Sequence, residues 1–319
     1  MYFKKKILKR IYISSTTAVH DMNYRKEASR WIKDNRLNCG STKPVLFVGA
    51  GLSRRYLNAP NWRALLEEVL KFIKNPTEID FYLQKTDKKD LDDDLIEVAE
   101  IIADLVHTWA WTREGKKFFN ESLYSPSISH KVFFKRLVAN IISRYDTPLA
   151  EHASELEALK SIDAQEVVTT NYDHFLSDFL GLRKRRGHEI IEKDGATSVL
   201  HAHGSIDNPD SIIILPSDYE DFSIKHRYSF AKLLIYFIEN PCVFLGYSLS
   251  DPHIKQLLVD AAEATNRNYL SNAYMISWSP EDGDHSSIKK PYRVASEGRD
   301  AMINILETPD FEWVYEAFA

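Results

Sequence analysis

The sequence predicts an α/β protein with a parallel sheet, helices on both faces of the sheet and a helical insertion. Short runs of strand length recur along the chain: those at 45–48 and 243–245 are apolar, and the one at 166–170 is rich in β-branched residues. Segments of helical period separate these runs, and strands that alternate with helices are typical of a parallel sheet. A glycine turn at 49–51 follows the first run directly, as at the end of a buried parallel strand.

The segment between the first two runs has only helical signals. Apolar residues recur at helical spacing in four stretches: 62–74, 95–111, 129–143 and 150–160. A strongly charged stretch at 85–94 is typical of a solvated loop or a helix start. We therefore predict a helical insertion over about 85–160, inside a nucleotide-binding domain that spans 41–319, with residues 1–40 as an N-terminal extension.

The second half of the chain alternates between strand and helix signals. Besides the runs already given, strands are predicted at 198–201, 212–215, 273–278 and 301–306. Helices are predicted at 175–180, 228–239, 254–264 and 311–318. The basic stretch at 183–195 is predicted to be an exposed connection, and 291–319 to contain only a strand and a final helix.

Composition and charge argue against several functional classes. A formal charge of -5 gives no reason to expect nucleic acid as a direct partner. No window approaches the roughly 18 apolar residues that cross a bilayer, and no signal-peptide pattern follows the basic N-terminus, so no membrane partner is expected. Two cysteines, Cys39 and Cys242, are too few for a structural zinc site, and they favour a reducing, cytoplasmic setting. Cys242 is expected to pack as a small hydrophobe.

The glycine turn contains Gly49, Ala50, Gly51 and Ser53. Glycines at this place let backbone amides approach a phosphate, so these four residues are candidates for nucleotide binding. Arg54 stands where the usual dinucleotide pattern has its third glycine. A plain strand-to-helix turn explains this segment equally well when it is taken alone.

A polar segment follows the second predicted strand. Thr170 ends this run and Asn171 and Asp173 lie just beyond it, where buried polar groups are costly unless they meet a partner. Helix capping is the alternative, since Thr, Asn and Asp are all good N-cap residues. Capping accounts for one of these residues, and a bound polar ligand accounts for the set.

Two histidines, His201 and His203, lie at the end of the next predicted strand. A metal site needs a third ligand, and no carboxylate or cysteine is obviously spaced to supply it, so no metal is expected. His203 is the candidate general base or polar anchor, because the glycine after it is expected to leave it accessible. His201 is the better candidate for a structural histidine.

The fourth segment contains Gly246, Ser248 and Asp251 and ends another strand. Glycine and serine amides at this place suit a phosphate or a ribose. Asp251 followed by Pro252 is also the pattern of a helix N-cap, and the two roles are compatible.

All four segments follow strand-like runs, and ligands of open α/β sheets bind at the carboxyl ends of the strands. We therefore expect the four to meet in one crevice of a Rossmann-like sheet. Together they resemble the sirtuin family, over about residues 45–280. Gly49-Ala50-Gly51-Leu52-Ser53 resembles its first NAD-binding turn, and Thr169-Thr170-Asn171-Tyr172-Asp173 its Thr-Gln-Asn-Ile-Asp element. His203-Gly204 matches its catalytic histidine-glycine pair, and Gly246-Tyr247-Ser248 its later phosphate and ribose turn.

The resemblance implies NAD as the bound nucleotide. It places Ser53, Asn171 and Asp173 around the nicotinamide and His203 beside the ribose of the same nucleotide. Thr170 and Tyr172 depart from the family pattern.

Two further departures alter the implied activity. The four-cysteine zinc module of the protein deacylases is missing, and Pro60-Asn61-Trp62 stands where the family has Pro-Asp-Phe-Arg. This variant is similar to the bacterial sirtuin-like effectors of antiphage defence, which hydrolyse NAD. The resemblance therefore implies an NAD glycohydrolase that cleaves NAD, its substrate, to ADP-ribose and nicotinamide, with Asn171, His203 and Asp173 as catalytic residues.

Two other functions stay open from the sequence. One is an NAD-dependent protein deacylase, and the other is a non-catalytic sensor of NAD or ADP-ribose. An NAD hydrolase must be controlled, so we expect a homo-oligomer or a regulatory or sensor protein as partner, separate or fused.

Overall fold

The computed structural model describes residues 22–35, 42–86, 91–186, 196–225, 227–249, 251–280 and 291–319. The strands in these residues form one sheet with the order β3-β4-β2-β1-β5-β6-β8-β7. Every neighbouring pair is parallel except β7 with β8. The strands are β1 (Val45–Val48), β2 (Glu166–Thr169), β3 (Arg183–Arg186), β4 (Ser198–His201), β5 (Cys242–Leu245), β6 (Tyr269–Trp278), β7 (Pro291–Ser296) and β8 (Arg299–Thr308).

Helices precede, connect and follow these strands. They are α1 (22–35), α2 (Ala50–Leu57), α3 (Trp62–Phe72), α4 (Ile79–Leu83), α5 (Leu91–Ala110), α6 (Gly115–Phe118), α7 (Val132–Ile142), α8 (Ala153–Lys160), α9 (Phe175–Leu180), α10 (Pro216–Lys225), α11 (Arg227–Glu239), α12 (Pro252–Ala264) and α13 (Glu312–Phe318). Short 3-10 turns lie at Glu121–Tyr124, Ala150–His152 and Pro209–Ser211.

Helices cover both faces of the central strands, which confirms the predicted α/β fold. Leu46 and Val48 point to one face and pack with residues of α1, α2, α8 and α13. Phe47 points to the other face, where its ring stacks on Phe237 of α11 at 4.6 Å and on Phe244 of β5 at 5.1 Å. Because both faces are buried, β1 and β5 are continuous apolar runs rather than alternating ones.

A third core lies among the helices between β1 and β2. Residues of α3, α4, α5 and α7 pack together there, and Phe119, Phe133 and Phe134 are buried among them. These three rings pack in the core, whereas Trp111 and Phe118 of the same block are exposed. The boundaries proposed for the insertion, for the extension and for the domain remain predictions.

The strand predicted at 212–215 is wrong. This segment is extended but pairs with no strand of the sheet, and Ile212, Ile214 and Leu215 are buried in the helical core. Its backbone is satisfied locally, because Ile214 N and Leu215 N both donate to the Asp218 carboxylate. An apolar run thus marks burial here, whether or not a sheet provides the hydrogen bonds.

The prediction of a connection at 183–195 is wrong for its first four residues. They form β3, a parallel edge strand beside β4. Arg185 is 5% exposed and lies near Glu166 of β2. The negative charge of Glu166 lowers the free-energy cost of burying the Arg185 guanidinium. Residues 187–195 lie outside the described residues.

The helices α4, α6 and α10 were not predicted, and neither were two elements beside the sheet, β7 and α1. β7 and β8 form a hairpin across Glu297 and Gly298, which both have positive φ, as the favoured two-residue hairpin turns require. The expectation of a single strand after residue 290 is therefore wrong. The other element beside the sheet is α1, in which Trp31 packs edge-on against Tyr274 of β6 at 5.4 Å.

Two expectations from composition can be compared with the structure. Cys242 is fully buried in the core, as predicted for a small hydrophobe, whereas Cys39 lies outside the described residues. In the part of the chain that the structure describes, every helix is too short or too polar to span a bilayer.

A buried ion pair fixes α2 against α8 and the C-terminal helix. Arg55 of α2 makes two hydrogen bonds to Glu155 of α8, Nε to Oε2 at 2.7 Å and Nη2 to Oε1 at 2.5 Å. The same carboxylate accepts the Tyr56 hydroxyl at 2.9 Å and the Phe311 amide at 3.0 Å. Burial alone would raise the pKa of Glu155, but Arg55 and these donors outweigh burial and hold it below its ordinary value.

Glu155→Ala should lower the free energy of unfolding by about 3 kcal/mol, because it leaves the Arg55 charge without its partner in a low-dielectric site. Because the pKa of Glu155 is depressed on folding, its contribution is complete above the unfolded value of 4.5 and is lost as the pH falls through the folded value. Urea unfolding at pH 7 and pH 4 measures both effects. Glu157→Ala, on the exposed face of α8, is the matched control, and an equal loss in both variants would contradict the assignment.

Candidate active site

The four polar segments meet at the carboxyl ends of β1, β2, β4 and β5. Backbone hydrogen bonds join them: Gly49 N donates to Leu245 O at 2.9 Å, Gly51 N to Gly246 O at 2.9 Å, and Ala202 N to Thr169 O at 2.8 Å. The structure therefore brings together the candidate residues of all four segments.

The glycines of the first turn allow two loops to pack closely. A Cβ atom on Gly49 would lie 2.8 Å from the Gly246 carbonyl oxygen, and one on Gly51 would lie 2.7 Å from it. Gly246 itself has a φ of +65°, which favours glycine. Since the amides of Gly49 and Gly51 donate within the protein, these two residues act here through their small size, and the exposed Ala50 lies between them.

Asn171 is held in one orientation by the first turn. Its Nδ2 donates to Gly49 O at 3.0 Å and to Ser53 Oγ at 2.9 Å. A carbonyl oxygen can only accept, so the side-chain atom that faces Gly49 O must be the nitrogen. Both amide hydrogens are thus used inside the protein, and Oδ1 is the atom that Asn171 can offer to a ligand.

Asp173 lies behind Asn171 in the same hydrogen-bond chain. The Ser53 hydroxyl donates to Asp173 Oδ2 at 2.8 Å, and Phe175 N donates to Oδ1 at 3.0 Å. Burial raises the pKa of Asp173, and these hydrogen bonds offset part of that rise. Donation therefore runs from Asn171 through Ser53 to Asp173, which fixes the direction of every bond in the chain.

His203 lies in a small polar group beside the start of α12. Its Nε2 is 3.4 Å from Asp251 Oδ2, and its ring meets those of Tyr219 and His253 edge-on. The other oxygen of Asp251 caps α12 by accepting from His253 N and Ile254 N. Burial lowers the pKa of His203 below its ordinary value, and Asp251 only partly offsets this, so the site favours the neutral imidazole.

The expectation that the following glycine would leave His203 accessible is wrong. His203 is 3% exposed, because Gly204 turns the chain tightly against the backbone of Ser211 and Tyr219 covers the ring. His201 is also buried, and its Nδ1 lies 3.3 Å from the backbone oxygen of Asn171. This contact fits the structural role predicted for His201, whose pKa burial lowers to about 4.

A hydroxyl contact joins the second and fourth segments. Thr170 Oγ1 lies 3.0 Å from the Tyr247 hydroxyl, and the Tyr247 ring packs against Gly49. Ser248 is exposed beside it. Thr170 and Ser248 therefore lie at the rim of the site, while Asn171, Asp173 and His203 lie below the surface.

Sequence reasoning missed two residues of this site, Tyr219 and His253, and named Tyr247 only as part of the turn between Gly246 and Ser248. Tyr219 lies in α10, a helix that was not predicted and that follows the apolar run at 212–215. His253 had a signal, since Asp251-Pro252-His253 places a histidine in the first turn of a helix whose cap was already a candidate.

Comparison with known families matches residues 165–300 to a model described as a SIR2-like domain. The match supports a sirtuin-like family and suggests an NAD-related function, since SIR2-like domains use NAD. The matched range includes Asn171, His203 and Asp251, whereas the turn at 49–53 lies outside it and joins the site through the hydrogen bonds described above. No curated protein matches the chain.

Gly51→Ala should destabilise the protein by about 1–3 kcal/mol, because the added methyl group meets backbone atoms of Gly246 that cannot rotate away. Thermal or urea unfolding measures the loss. Gly181→Asn is the control, since nothing lies within 4 Å of a Cβ there and Asn tolerates the left-handed backbone. Wild-type stability in Gly51→Ala would show that the two loops are not packed as described.

Proposed function

We propose that this protein is an NAD glycohydrolase, which cleaves NAD with water to ADP-ribose and nicotinamide. The hydrogen-bond chain from Asn171 through Ser53 to Asp173 is the observation that carries this proposal. It fixes the Asn171 amide and leaves Oδ1 as the acceptor that this side chain can offer, next to the turns that follow the strands. The SIR2-like match supports NAD as the substrate.

The bond to be broken joins C1′ of the ribose to the nicotinamide nitrogen. As it breaks, positive charge develops on the ribose, as in glycoside hydrolysis. Asn171 Oδ1 is suited to hold the attacking water or a ribose hydroxyl, because its amide cannot flip without placing Oδ1 against Gly49 O. Fixed orientation of this kind lowers the barrier, since the water is already placed for attack.

His203 is the proposed proton acceptor. A neutral imidazole takes a proton from the attacking water or from a ribose hydroxyl, and such help is typically worth about 10²–10⁴-fold in rate. Asp251, 3.4 Å away, stabilises the imidazolium that forms. Water supplies the new oxygen at C1′, and its proton passes through His203 to solvent.

Asp173 and Ser53 form the other side of the proposed nicotinamide pocket. Ser53 and Asp173 are both buried below the rim of the site. The nicotinamide carboxamide therefore has to enter below the rim to contact the Ser53 hydroxyl and the Asp173 carboxylate. Ala50, Gly246, Thr170, Ser248 and Asp251 are the proposed contacts to phosphate and ribose.

We further propose that NAD hydrolysis serves antiphage defence by abortive infection. This rests on the similarity of the four segments to the sirtuin-like effectors and on the lack of a four-cysteine zinc module in the sequence. Control by a second copy of the chain or by a regulatory protein follows from the damage that constant NAD loss would cause.

Asn171→Ala and His203→Ala should each lower nicotinamide release from NAD by about 10²-fold or more, because one loses the fixed acceptor and the other the base. Chromatography of the products measures the rate. His130→Ala removes a surface histidine instead and should keep full activity. Undiminished turnover in either site variant, with folding verified by urea unfolding, would remove the assignment.

The same assay separates the alternatives. With an acetylated peptide added, acyl-ADP-ribose as product would favour a deacylase over a hydrolase. Calorimetric binding of NAD by the full chain, without any product, would favour a sensor.

The pH dependence should follow His203. A base works in its neutral form, so kcat/KM should be constant above pH 6.5 and fall only as the pH drops through the lowered pKa. Nicotinamide release between pH 5 and 8.5 measures this profile. A midpoint at or above 6.5 would contradict a buried, neutral His203.

A further inference from the structure

His203, Asp251 and His253 place one potential metal-ligand atom each within 4.8 Å of one another. Among the described residues this is the one group of three or more such side chains at that spacing. His203 follows β4, while Asp251 and His253 lie at the first turn of α12. The fold thus joins two separate chain segments at this point.

The distance within the group fits a coordinated ion better than a direct hydrogen bond. His203 Nε2 and Asp251 Oδ2 are 3.4 Å apart. An N–H···O bond is usually about 2.9–3.0 Å long, whereas two ligands about 2.0–2.1 Å from a tetrahedral zinc ion lie about 3.3 Å apart. The ligand atoms of the three residues all lie within 4.8 Å of one another. A pair at the full 4.8 Å would have to move about 1.5 Å closer to reach the ligand–ligand distance of a tetrahedral zinc site.

The surroundings orient the ligands as in known metal sites. Asp251 Oδ1 accepts two backbone amides, which leaves Oδ2 turned toward His203. The His253 ring packs against Tyr219 at 5.2 Å and Phe230 at 6.4 Å, which restrict its orientation. The groups that bind a metal ion are usually held in place by neighbours in this way.

The ligand types select the class of ion. Two imidazoles and one carboxylate suit Zn²⁺ and neighbouring first-row ions, whereas Mg²⁺ and Ca²⁺ prefer oxygen ligands only. The positive end of the α12 dipole opposes a cation, but the Asp251 carboxylate lies between that end and the ion and already neutralises part of it.

We propose that His203, Asp251 and His253 bind a divalent ion of the zinc class, and that the bound ion excludes NAD because His203 serves both. The first half stands by itself, and the second half rests on the proposed function. Zinc is therefore an inhibitor of this site rather than its cofactor.

Titration of the full chain with Zn²⁺ tests the site directly. Calorimetry should show one tight ion per chain, and bound Co²⁺ should give the visible absorption of a low-coordinate site. Asp251→Asn, which keeps the helix cap, and His253→Gln should each weaken binding ten-fold or more. His130→Gln, which removes a surface histidine beside Asp104, should not weaken it, and Mg²⁺ should not bind.

Absence of binding in the wild type, or binding that His253→Gln and Asp251→Asn leave unchanged, would overturn the site. In the NAD assay, Zn²⁺ should raise the KM for NAD, and a chelator should reverse this. Whatever activity His253→Gln retains without zinc should resist inhibition by zinc. Activation by zinc, or equal inhibition of wild type and His253→Gln, would overturn the exclusion of NAD.

The two proposals fail separately. A chain that binds zinc through these residues but never releases nicotinamide would refute the hydrolase and keep the metal site. A chain that hydrolyses NAD but does not bind zinc would refute the metal site and keep the hydrolase.

Discussion

The close contact between the glycine turn after β1 and Gly246 after β5 is the constraint on which the site depends. Because Gly49 and Gly51 have no side chains, the two loops lie close enough to form backbone hydrogen bonds with each other. This contact sets the start of α2, and α2 carries Ser53 on one side and Arg55 on the other. Ser53 then orients Asn171, while Arg55 anchors the helix to Glu155 and, through it, to the C-terminal segment.

Much of the fold followed from burial patterns that are local in sequence. β1 and β5 are continuous apolar runs because helices cover both of their faces, and that pattern is visible without a structure. The convergence of the four segments also followed, because parallel strands place their carboxyl ends at one edge. Apolar content alone did not separate a strand from a buried extended segment, which is why 212–215 was misassigned.

The orientation of the site residues could not be predicted from the sequence. Which end of the Asn171 amide faces outward depends on Gly49, which lies 122 positions earlier in the chain. The group around His203 depends on α12 and on Tyr219, which meet only in three dimensions. The edge strand β3 was not predicted for another reason. Its Arg and Lys residues are typical of a solvated loop, although Arg185 lies near the buried carboxylate of Glu166.

The two margins of the sheet bear on how copies of this chain can associate. At one margin β3 consists of Arg183, Lys184, Arg185 and Arg186, whose like charges would repel a second such strand laid alongside. At the other margin β7 begins with Pro291, which has no amide hydrogen to donate, and carries the charged Arg293. Growth of the sheet from one molecule into the next is therefore disfavoured at both ends of the sheet that the structure describes.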